Sequence, residues 1–303
     1  MTPSSAASPT EPASPRQEHP LNAGAKDTPS DAMLRRVVAW WDPPADGPTN
    51  MALDEALAAE AARLDRVLVR ISTWSEPTLS LGAFQAIGDA RSHRSLAGLP
   101  IVRRPSGGGA ILHGSDVTLT VAVPRLHPCG GTPQRLYDAV HEGLVAEMSA
   151  RGVPAALSPG ADRGAKAEGD PLLCFDRRAT GDVVMPIADG RFNADAKILG
   201  SAQRRLRGAI LQHGSLLLAS NRFVAADVRH PGLEELLHGA GKDGAWGWGQ
   251  PVGTGLVRGW LARVAQSLGA GLEEPPGRFQ PPLEAGIEDV VSRFRGDSWN
   301  SRR

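Results

Sequence analysis

The stretch at residues 101–118, IVRRPSGGGAILHGSDVT, is the most informative part of the chain. It begins with a short apolar run, which predicts a strand that ends at Arg103 and Arg104. The glycine turn at 107–109 follows, and its backbone can approach a ligand closely because glycine has no Cβ. Bare amides and two arginines together can bind an anion or an acyl oxygen. A glycine run alone is typical of an ordinary turn, and the arginines alone fit a solvated strand end, but their order favours a binding site.

The bulk composition is that of an ordinary globular protein. The chain has 303 residues, 41% of them hydrophobic, and its 33 Lys+Arg residues balance 33 Asp+Glu residues. A formal net charge of zero gives no basis for broad attraction to nucleic acid or membranes, and no apolar run reaches the roughly 20 residues that span a bilayer. Two cysteines, Cys129 and Cys174, are too few for a disulfide framework and lack metal-ligand spacing. We therefore expect a cytoplasmic protein without a metal.

Composition also divides the chain into three parts. Residues 1–33 are rich in Ser, Pro, Ala and Thr, which predicts a disordered tail. This tail has scattered acidic residues and no apolar core, which argues against a secretory signal or a transit peptide. Residues 34–272 form the predicted folded domain. Residues 273–303 contain two proline pairs and have room for a linker and one helix, but not for a second domain.

Helical and strand periodicities follow one another along the predicted domain. Asn50 is the candidate N-cap of a first helix, and the alternation over 117–123 predicts a half-buried strand. Further strands are predicted over 67–73, 79–82, 101–104, 183–185, around 197–199 and over 210–218, helices over 133–149, 257–268 and 283–294, and a polar loop over 158–170. Strands in the middle and helices at both ends indicate an α+β fold, with a mixed β-sheet flanked by helices.

A second segment, DAKILGSAQRRLRGAILQHGSLLL at residues 195–218, completes a recognisable pattern. Together with RRPSGGGAILH it resembles the catalytic domain of the biotin/lipoate protein ligase superfamily, in the branch of the lipoate-protein ligases A and the octanoyltransferases. The segments NMALD at 50–54 and W…P…LSLG…Q at 74–85 support the match, which extends roughly from Trp40 to Gly269. The resemblance implies that residues 34–272 are a catalytic domain of this fold. The biotin ligases are less favoured, because RRPSGGG replaces their G-R-G-R-x-G loop.

Lys197 is the first candidate catalytic residue. It lies on a predicted strand between apolar residues, where an exposed strand lysine is an equally good interpretation of the residue alone. The resemblance implies more, because Lys197 occupies the catalytic lysine of the family pattern K-[IV]-x-G-[SN]-A-Q. A fixed ammonium stabilises the oxyanion that forms during acyl transfer, and losing such a group costs on the order of 3 kcal/mol of barrier.

Cys174 is the second candidate, and it decides the mechanism. Taken alone, a cysteine between Leu173 and Phe175 is typical of a hydrophobic core. The sequence around it resembles the C-F-[DE] element of the cysteine-dependent octanoyltransferases, in which a thiolate takes an acyl group from a thioester and passes it to an amine. Those transferases continue with a Ser/Tyr-Glu element, whereas this chain has RRATGD at 177–182. This departure leaves the acyl donor open.

The resemblance also implies a set of substrate-binding residues. His113 and His213 are each, taken alone, typical of hydrogen-bonded structural histidines, but in the family pattern they shape the pocket and orient the acyl carbonyl or the incoming amine. Asp116 is not assigned the role of the aspartate that directly follows this histidine in many family members. The predicted substrate-binding residues are Arg103, Arg104, Ser106, Gly107, Gly108, Gly109, His113, Gly200, Ser201, Ala202, Gln203, His213 and Gly214.

The resemblance therefore implies a transferase of protein lipoylation. It moves an octanoyl or lipoyl group from an acyl carrier protein, or from an acylated lipoyl domain, through a Cys174 thioester to a lysine of a lipoyl domain. The predicted partners are acyl carrier protein, the glycine cleavage H protein and the E2 subunits of 2-oxoacid dehydrogenases. No cofactor is expected, because a thioester donor makes ATP unnecessary. Arg204, Arg205 and Arg207 fit either a charged hairpin turn or a docking patch for such acidic partners.

Two alternatives stay open. An ATP-dependent lipoate-protein ligase would adenylate free lipoate with ATP and Mg, and it would need no cysteine. Its glycine turn and Lys197 would then hold the adenylate phosphate. A non-catalytic binder of lipoyl domains is less favoured, because a binder has no need to retain Lys197, Gly200 and the glycine turn.

Overall fold

The computed structural model describes residues 36–160, 172–187, 195–238, 251–269, 271–273 and 286–302. The predicted disordered tail lies outside these residues, and so do most of the predicted polar loop and most of the predicted C-terminal linker. The helices are α1 (Gly47–Leu64), α2 (Ile87–Ser92), α3 (Pro133–Ala150), α4 (Leu233–His238), α5 (Pro251–Ser267), α6 (Ile287–Arg295) and α7 (Asp297–Asn300). The strands are β1 (Arg36–Trp41), β2 (Val67–Ser72), β3 (Thr78–Leu81), β4 (Ile101–Arg103), β5 (Ile111–His113), β6 (Asp116–Pro124), β7 (Ala156–Leu157), β8 (Val183–Met185), β9 (Ala196–Leu206), β10 (Ala209–Leu217) and β11 (Gly271–Glu273).

The strands form two sheets flanked by helices, which confirms the predicted α+β fold. The larger sheet has the order β11-β1-β2-β6-β10-β9-β8-β7, and its centre, β6-β10-β9, is antiparallel. The smaller sheet has the order β4-β3-β5, so the predicted single sheet is divided in two. The periodicity of a strand reports which of its own faces is buried and not which strands it pairs with, so the sequence could not make this division.

Helices cover both faces of the larger sheet. On one face α3 and α5 pack together, and the indole of Trp260 donates a hydrogen bond to Val140 O at 2.7 Å. On the other face α1 packs against the sheet through residues such as Leu57. All nine residues of β6 are therefore buried, although its alternating sequence predicts a half-buried strand. The hydroxyl of Thr118 fits this interior because it accepts a hydrogen bond from the Trp74 indole at 3.1 Å.

Helix α1 begins before the position that the sequence predicts. Asp46 is its N-cap, and the Asp46 side chain accepts a hydrogen bond from Thr49 N at 2.9 Å. The prediction that Asn50 caps the helix is therefore wrong. The Asn50 amide instead donates to Ala45 O and Thr73 O, at 3.0 and 3.2 Å. It ties the start of α1 to the end of β2, a long-range contact that a local capping pattern cannot reveal.

The C-terminal helices α6 and α7 pack next to the smaller sheet. Helix α6 occupies most of the helix predicted over 283–294, of which residues 283–285 lie outside the described part of the chain. Its Phe294 packs with Met51, Trp74 and Val102, which joins the C-terminal segment to α1 and β4. Helix α5 begins at Pro251, ahead of the predicted start at 257. Within the described ranges, no helix is both long and apolar enough to cross a membrane.

Candidate active site

The glycine turn lies between β4 and β5, where it touches two other backbone segments. A Cβ on Gly82 would lie 2.0 Å from Gly108 O, and a Cβ on Gly109 would lie 2.9 Å from Cys174 Cα. Gly108 has a φ of +92°, a conformation that favours glycine. Cys174 N also donates to Ala110 O at 2.7 Å. The missing side chains of the turn are therefore what allows Cys174 to lie against it.

Cys174 and Lys197 meet at the start of strand β9. Cys174 begins a short 3-10 turn, and its side chain is partly exposed. Lys197 Nζ lies 3.5 Å from Cys174 Sγ, 3.2 Å from Cys174 O and 3.4 Å from Arg177 O. Only 4% of Lys197 is exposed, so its interpretation as an exposed strand lysine is wrong. The structure thus brings together the two residues that the sequence proposes as catalytic.

Asp182 completes this group. Its carboxylate lies 2.8 Å from Lys197 Nζ and accepts a hydrogen bond from Ala179 N at 2.7 Å. The hydroxyl of Tyr137 donates to the other carboxylate oxygen at 3.3 Å. Sequence reasoning did not select Asp182, although it ends the RRATGD segment that departs from the family pattern. We call Cys174, Lys197 and Asp182 the Cys174 array.

Gly200 makes the position of the Lys197 side chain possible. A Cβ on Gly200 would lie 2.5 Å from Lys197 Cε and 2.8 Å from its Nζ. The lysine leaves β9 where the pairing with β8 is irregular, and such irregularities re-aim side chains. On the same strand, Ala202 Cβ lies 4.0 Å from where a Cβ on Gly108 would be. The start of β9 therefore faces both the thiol and the glycine turn.

Arg103 is buried and binds main-chain carbonyl groups. Its guanidinium donates to Asn300 O at 2.7 Å, to Gly82 O at 2.9 Å and to Gln85 O at 2.7 Å. Burial lowers its pKa from the usual value. The side chain joins the loop after β3 to the end of α7, and its role as a substrate-binding residue stays a prediction.

Arg104 is also buried, and it holds the glycine turn directly. It donates to Gly107 O at 3.0 Å and to Gly109 O at 2.8 Å, and its other terminal nitrogen donates to Ser80 Oγ at 2.8 Å. Burial lowers its pKa to about 10, so the group remains charged at neutral pH. Both arginines are thus enclosed by protein, and the interpretation of the pair as a solvated strand end is wrong.

His113 lies between a serine and an aspartate. Its Nε2 is 2.7 Å from Ser80 Oγ, its Nδ1 is 2.8 Å from Asp116 Oδ2, and its ring stacks on Trp74. Burial lowers the pKa of His113. Burial by itself would raise the pKa of Asp116, but the charge of His113 and its hydrogen bond outweigh burial, so the pKa of Asp116 lies below its usual value. The sequence pattern assigns Asp116 no role, yet its carboxylate is the partner of His113. We call Ser80, His113 and Asp116 the Ser80 array.

His213 also lies between a serine and an aspartate. Its Nε2 contacts Ser106 Oγ, and its Nδ1 lies 3.2 Å from Asp54 Oδ2. Burial raises the pKa of Asp54, but the hydrogen bond from His213 and the charge of Arg70 outweigh it and lower the pKa overall. Arg70 also donates to Asn50 Oδ1 at 2.6 Å, so both polar residues of the NMALD segment belong to this network. We call Ser106, His213 and Asp54 the Ser106 array.

Both serine arrays are connected to the glycine turn. Ser106 directly precedes the turn in the chain, whereas Ser80 reaches it through Arg104. The hydroxyls of Ser80 and Ser106 belong to residues that are 0% and 1% exposed, while the thiol of Cys174 is partly exposed. Of these three groups, Cys174 is therefore the one that an incoming acyl group can reach without rearrangement of the fold.

The other predicted site residues lie at the start of β9 and on β10. Ser201 Oγ is 2.7 Å from His141 Nε2, and a Cβ on Gly214 would lie 2.5 Å from that hydroxyl. The amide of Gln203 donates to Pro133 O at 2.7 Å, at the first residue of α3. These contacts hold β9 against β10 and α3.

The basic residues of the β9–β10 hairpin have local partners. Arg204 donates to Pro105 O at 2.8 Å, and Arg207 lies 2.9 Å from Glu55. Arg205 is exposed. These contacts fit the hairpin interpretation, and a docking role stays a prediction. Among the described residues, no cluster of three or more His, Cys, Asp or Glu side chains is arranged to hold a metal ion.

Comparison with known proteins places this geometry in context. The family described as "Lipoyl protein ligase A/B catalytic domain" matches residues 46–235. Octanoyltransferase LipM of Kyrpidia tusciae is 33% identical over 268 residues, which are 84% of this chain and 94% of that protein. Octanoyltransferase LipM of Symbiobacterium thermophilum is also 33% identical, over 85% of this chain and 95% of its own length.

Solved structures share the fold at lower sequence identity. A putative lipoate protein ligase from T. acidophilum with bound lipoic acid has a TM-score of 0.61 and 16% identity, over 88% of this chain and 99% of its own. A lipoate-protein ligase A bound with ATP has a TM-score of 0.59 and 17% identity, over 88% and 98%. These likenesses confirm the lipoate-ligase fold that the sequence predicts.

Proposed function

The chain belongs to the lipoyl protein ligase A/B catalytic domain family, and we propose that it is an octanoyltransferase of protein lipoylation with Cys174 as its nucleophile. Octanoyl transfer is supported by the relatives of that name, each 33% identical over most of both chains. The use of a thiol rests on one observation, the 3.5 Å distance between Lys197 Nζ and Cys174 Sγ.

In the first step the Cys174 thiolate attacks the carbonyl carbon of an octanoyl thioester, which we propose is presented by an acyl carrier protein. A new C–S bond forms while the old one breaks, and the carrier leaves as a thiolate that takes a proton from water. The Lys197 ammonium stabilises negative charge on the attacking sulfur and on the carbonyl oxygen. The 2.8 Å ion pair with Asp182 keeps that ammonium beside the sulfur.

In the second step a lysine amine of a lipoyl domain attacks the Cys174 thioester. The C–N bond of the amide forms, the C–S bond breaks, and the amine proton passes to water. Cys174 returns to a thiolate beside Lys197. A thioester is more reactive than an amide, so the acyl group needs no activation by ATP, and we propose that the reaction uses no cofactor.

The glycine turn is the proposed binding site for the acyl head. Its backbone approaches Cys174 most closely at Gly109, where a side chain would collide with the Cys174 backbone. Arg104 fixes two of the three carbonyl groups of the turn, at Gly107 and Gly109. We propose that the amides between them bind the carbonyl oxygen of the acyl group, because fixed donors stabilise an oxyanion without reorganisation.

We propose lipoyl-domain proteins as acceptors, namely the glycine cleavage H protein and the E2 subunits of 2-oxoacid dehydrogenases, and the cytoplasm as the compartment. The supporting observation comes from the family: one structure with this fold, at a TM-score of 0.58, is a bi-partite lipoate protein ligase described together with its E2 lipoyl domain. We propose an acyl carrier protein as the donor, because it holds its acyl group as a thioester, which a thiolate can attack.

A transfer assay tests the proposed function. The full chain is incubated with octanoyl-acyl carrier protein and an apo lipoyl domain, without ATP, and the lipoyl domain is weighed by mass spectrometry. The Cys174→Ala variant is compared with Cys129→Ala, which removes the buried second cysteine. We expect octanoylation by the wild type and by Cys129→Ala, and none by Cys174→Ala.

The same assay separates the alternatives. Modification by Cys174→Ala at the wild-type rate, with free lipoate and Mg-ATP, would replace the thiol mechanism by that of a ligase. Binding of the lipoyl domain without transfer from either donor would make the chain a non-catalytic binder.

A further inference from the structure

Helix α3 carries two aromatic side chains behind the proposed catalytic group that the mechanism above does not use. Tyr137 and His141 are four residues apart, so they lie on one face of the helix. Their rings stack with centroids 3.9 Å apart and an angle of 21° between the planes. His141 is fully buried, an unusual position for a histidine at 0% exposure unless both ring nitrogens have partners.

Tyr137 contacts the loop that carries Asp182. Its hydroxyl donates to Asp182 Oδ1 at 3.3 Å, on the carboxylate whose other oxygen pairs with Lys197. Its ring packs so closely on Gly181 that a Cβ there would lie 2.8 Å from Tyr137 Cε1. Gly181 has a φ of +88°, so the loop turns directly under the ring in a conformation that favours glycine.

His141 joins the same loop to strand β9. Its Nδ1 lies 2.7 Å from Gly181 O, and because a carbonyl oxygen can only accept, Nδ1 carries the proton. Its Nε2 then has a lone pair, which accepts the hydroxyl proton of Ser201 at 2.7 Å. Burial, together with the nearby charge of Lys197, lowers the pKa of His141 to about 4 despite the hydrogen bond to Gly181. The ring is therefore neutral at pH 7, as this bonding pattern requires.

These contacts connect helix α3 to the chain beside each member of the ion pair. Gly181 precedes Asp182, and Ser201 follows Gly200, over which the Lys197 side chain folds. A lysine side chain has four flexible methylene groups, so its ammonium stays in place only if its partners are fixed. We propose that Tyr137 and His141 are positioning residues, which keep Lys197 Nζ beside Cys174 Sγ through Asp182 and Ser201. The inference rests on the proposed function, since it gives Lys197 a role in acyl transfer.

Two conservative variants test the proposal in a Cys129→Ala background, where alkylation reports Cys174 alone. Tyr137→Phe removes the hydroxyl but keeps the stacked ring. His141→Asn retains a donor near the Nδ1 position and loses the acceptor for Ser201. Gln134→Ala, on the same helix, is the control, because Gln134 is exposed and its side-chain amide donates to Asp138, outside the proposed site.

Two measurements are made on each variant: kcat and KM for octanoyl transfer, and the pH midpoint of Cys174 alkylation by iodoacetamide. We expect Tyr137→Phe and His141→Asn to lower kcat by about 10-fold or more with KM unchanged, because small misplacements of a catalytic group reduce the rate steeply. We expect the alkylation midpoint to rise in both, since the ammonium no longer stays against the thiolate. The Gln134→Ala control keeps both wild-type values.

A lower melting temperature with unchanged kcat and an unchanged alkylation midpoint would overturn the proposal, because it is the result of a purely structural role. The alkylation midpoint needs no acyl substrate. A raised midpoint in protein whose wild type transfers no octanoyl group would therefore support the positioning of Lys197 and count against the proposed function alone.

Discussion

The Cys174 array and the two serine arrays contain similar chemical groups but have opposite surroundings. Each joins a potential nucleophile, a basic side chain and an aspartate within hydrogen-bond reach. The residues of the Ser80 and Ser106 arrays are buried, whereas the thiol of the Cys174 array is partly exposed. A potential nucleophile beside a basic side chain and an aspartate therefore does not identify a catalytic site by itself. Access to substrate decides which array performs chemistry and which one supports it.

Removal of the thiol gives the largest expected effect. Cys174→Ala should lower octanoyl transfer by on the order of 10³-fold or more, as the loss of a covalent nucleophile does in other enzymes. Ser80→Ala and Ser106→Ala should each retain far more activity, because their hydroxyls are enclosed by protein. Initial rates of lipoyl-domain modification measure all three. A serine variant as inactive as Cys174→Ala, with its fold intact by circular dichroism, would reverse the assignment of the arrays.

Neutralising the ammonium is the next test. Lys197→Gln should lower kcat by roughly 10²–10³-fold, the usual loss when one oxyanion-stabilising group is removed. Arg205→Gln removes an exposed cation from the same strand, and its kcat should stay within a factor of about two if the effect is local to Lys197. Equal losses in both variants would show that general positive charge, and not the contact with Cys174, supports the reaction.

A methyl group in the glycine turn should displace Cys174. Gly109→Ala places a Cβ 2.9 Å from Cys174 Cα, so the Cys174 segment must move, and we expect a loss of about 10²-fold in kcat/KM. Gly131→Ala is the matched control, because a Cβ at Gly131 meets nothing within 4 Å. Wild-type kinetics for Gly109→Ala would mean that the turn does not position Cys174.

Disrupting a serine array should lower the stability of the fold. Ser106→Ala leaves Nε2 of the buried His213 without its partner, which should lower the free energy of unfolding by about 1–3 kcal/mol. Ser92→Ala, at an exposed serine, should change it by less than about 0.5 kcal/mol. Urea denaturation measures both. An unchanged stability for Ser106→Ala would remove the supporting role from that array.

The smallest expected effect is a dependence of stability on pH. The pKa of His141 is about 4 in the folded protein and about 6.5 in an unfolded chain, so the unfolded state binds more protons between these values. Its contribution is fully present above pH 6.5 and is lost as the pH falls toward 4. From pH 7 to 5.5 the wild type should lose about 1 kcal/mol more stability than His141→Asn. Urea denaturation at the two pH values measures this, and an equal loss of stability in the wild type and in His141→Asn would contradict it.

The sequence predicted the parts of this account that depend on local pattern and family resemblance. Local sequence was enough to predict the glycine turn, the strand that carries Lys197 and the C-F element at Cys174. The lipoate-ligase fold and octanoyl transfer were predicted through the resemblance, and the comparisons confirm both. The chemical roles of Cys174 and Lys197 stay predictions.

Apart from Asp116, whose partner His113 is three residues away, the residues that the sequence missed have partners further along the chain. Asp182 contacts Lys197, and Tyr137 contacts Asp182 from helix α3, 45 residues earlier in the sequence. Asp54 contacts His213 across 159 residues. Periodicity reveals which face of an element is buried, but not which polar side chains meet there, because that depends on the packing of whole elements. One signal was available, the carboxylate that ends the RRATGD segment ahead of Lys197.

The most direct test of the central claim is to locate the octanoyl group on the enzyme. Wild-type protein is mixed with octanoyl-acyl carrier protein in the absence of acceptor, quenched in acid, digested and mapped by peptide mass spectrometry. The account predicts one octanoyl group, on the peptide that contains Cys174, which disappears when an apo lipoyl domain is added before quenching. An octanoyl group on the peptides of Ser80 or Ser106, or transfer to the lipoyl domain with no acyl-enzyme at any time point, would contradict it.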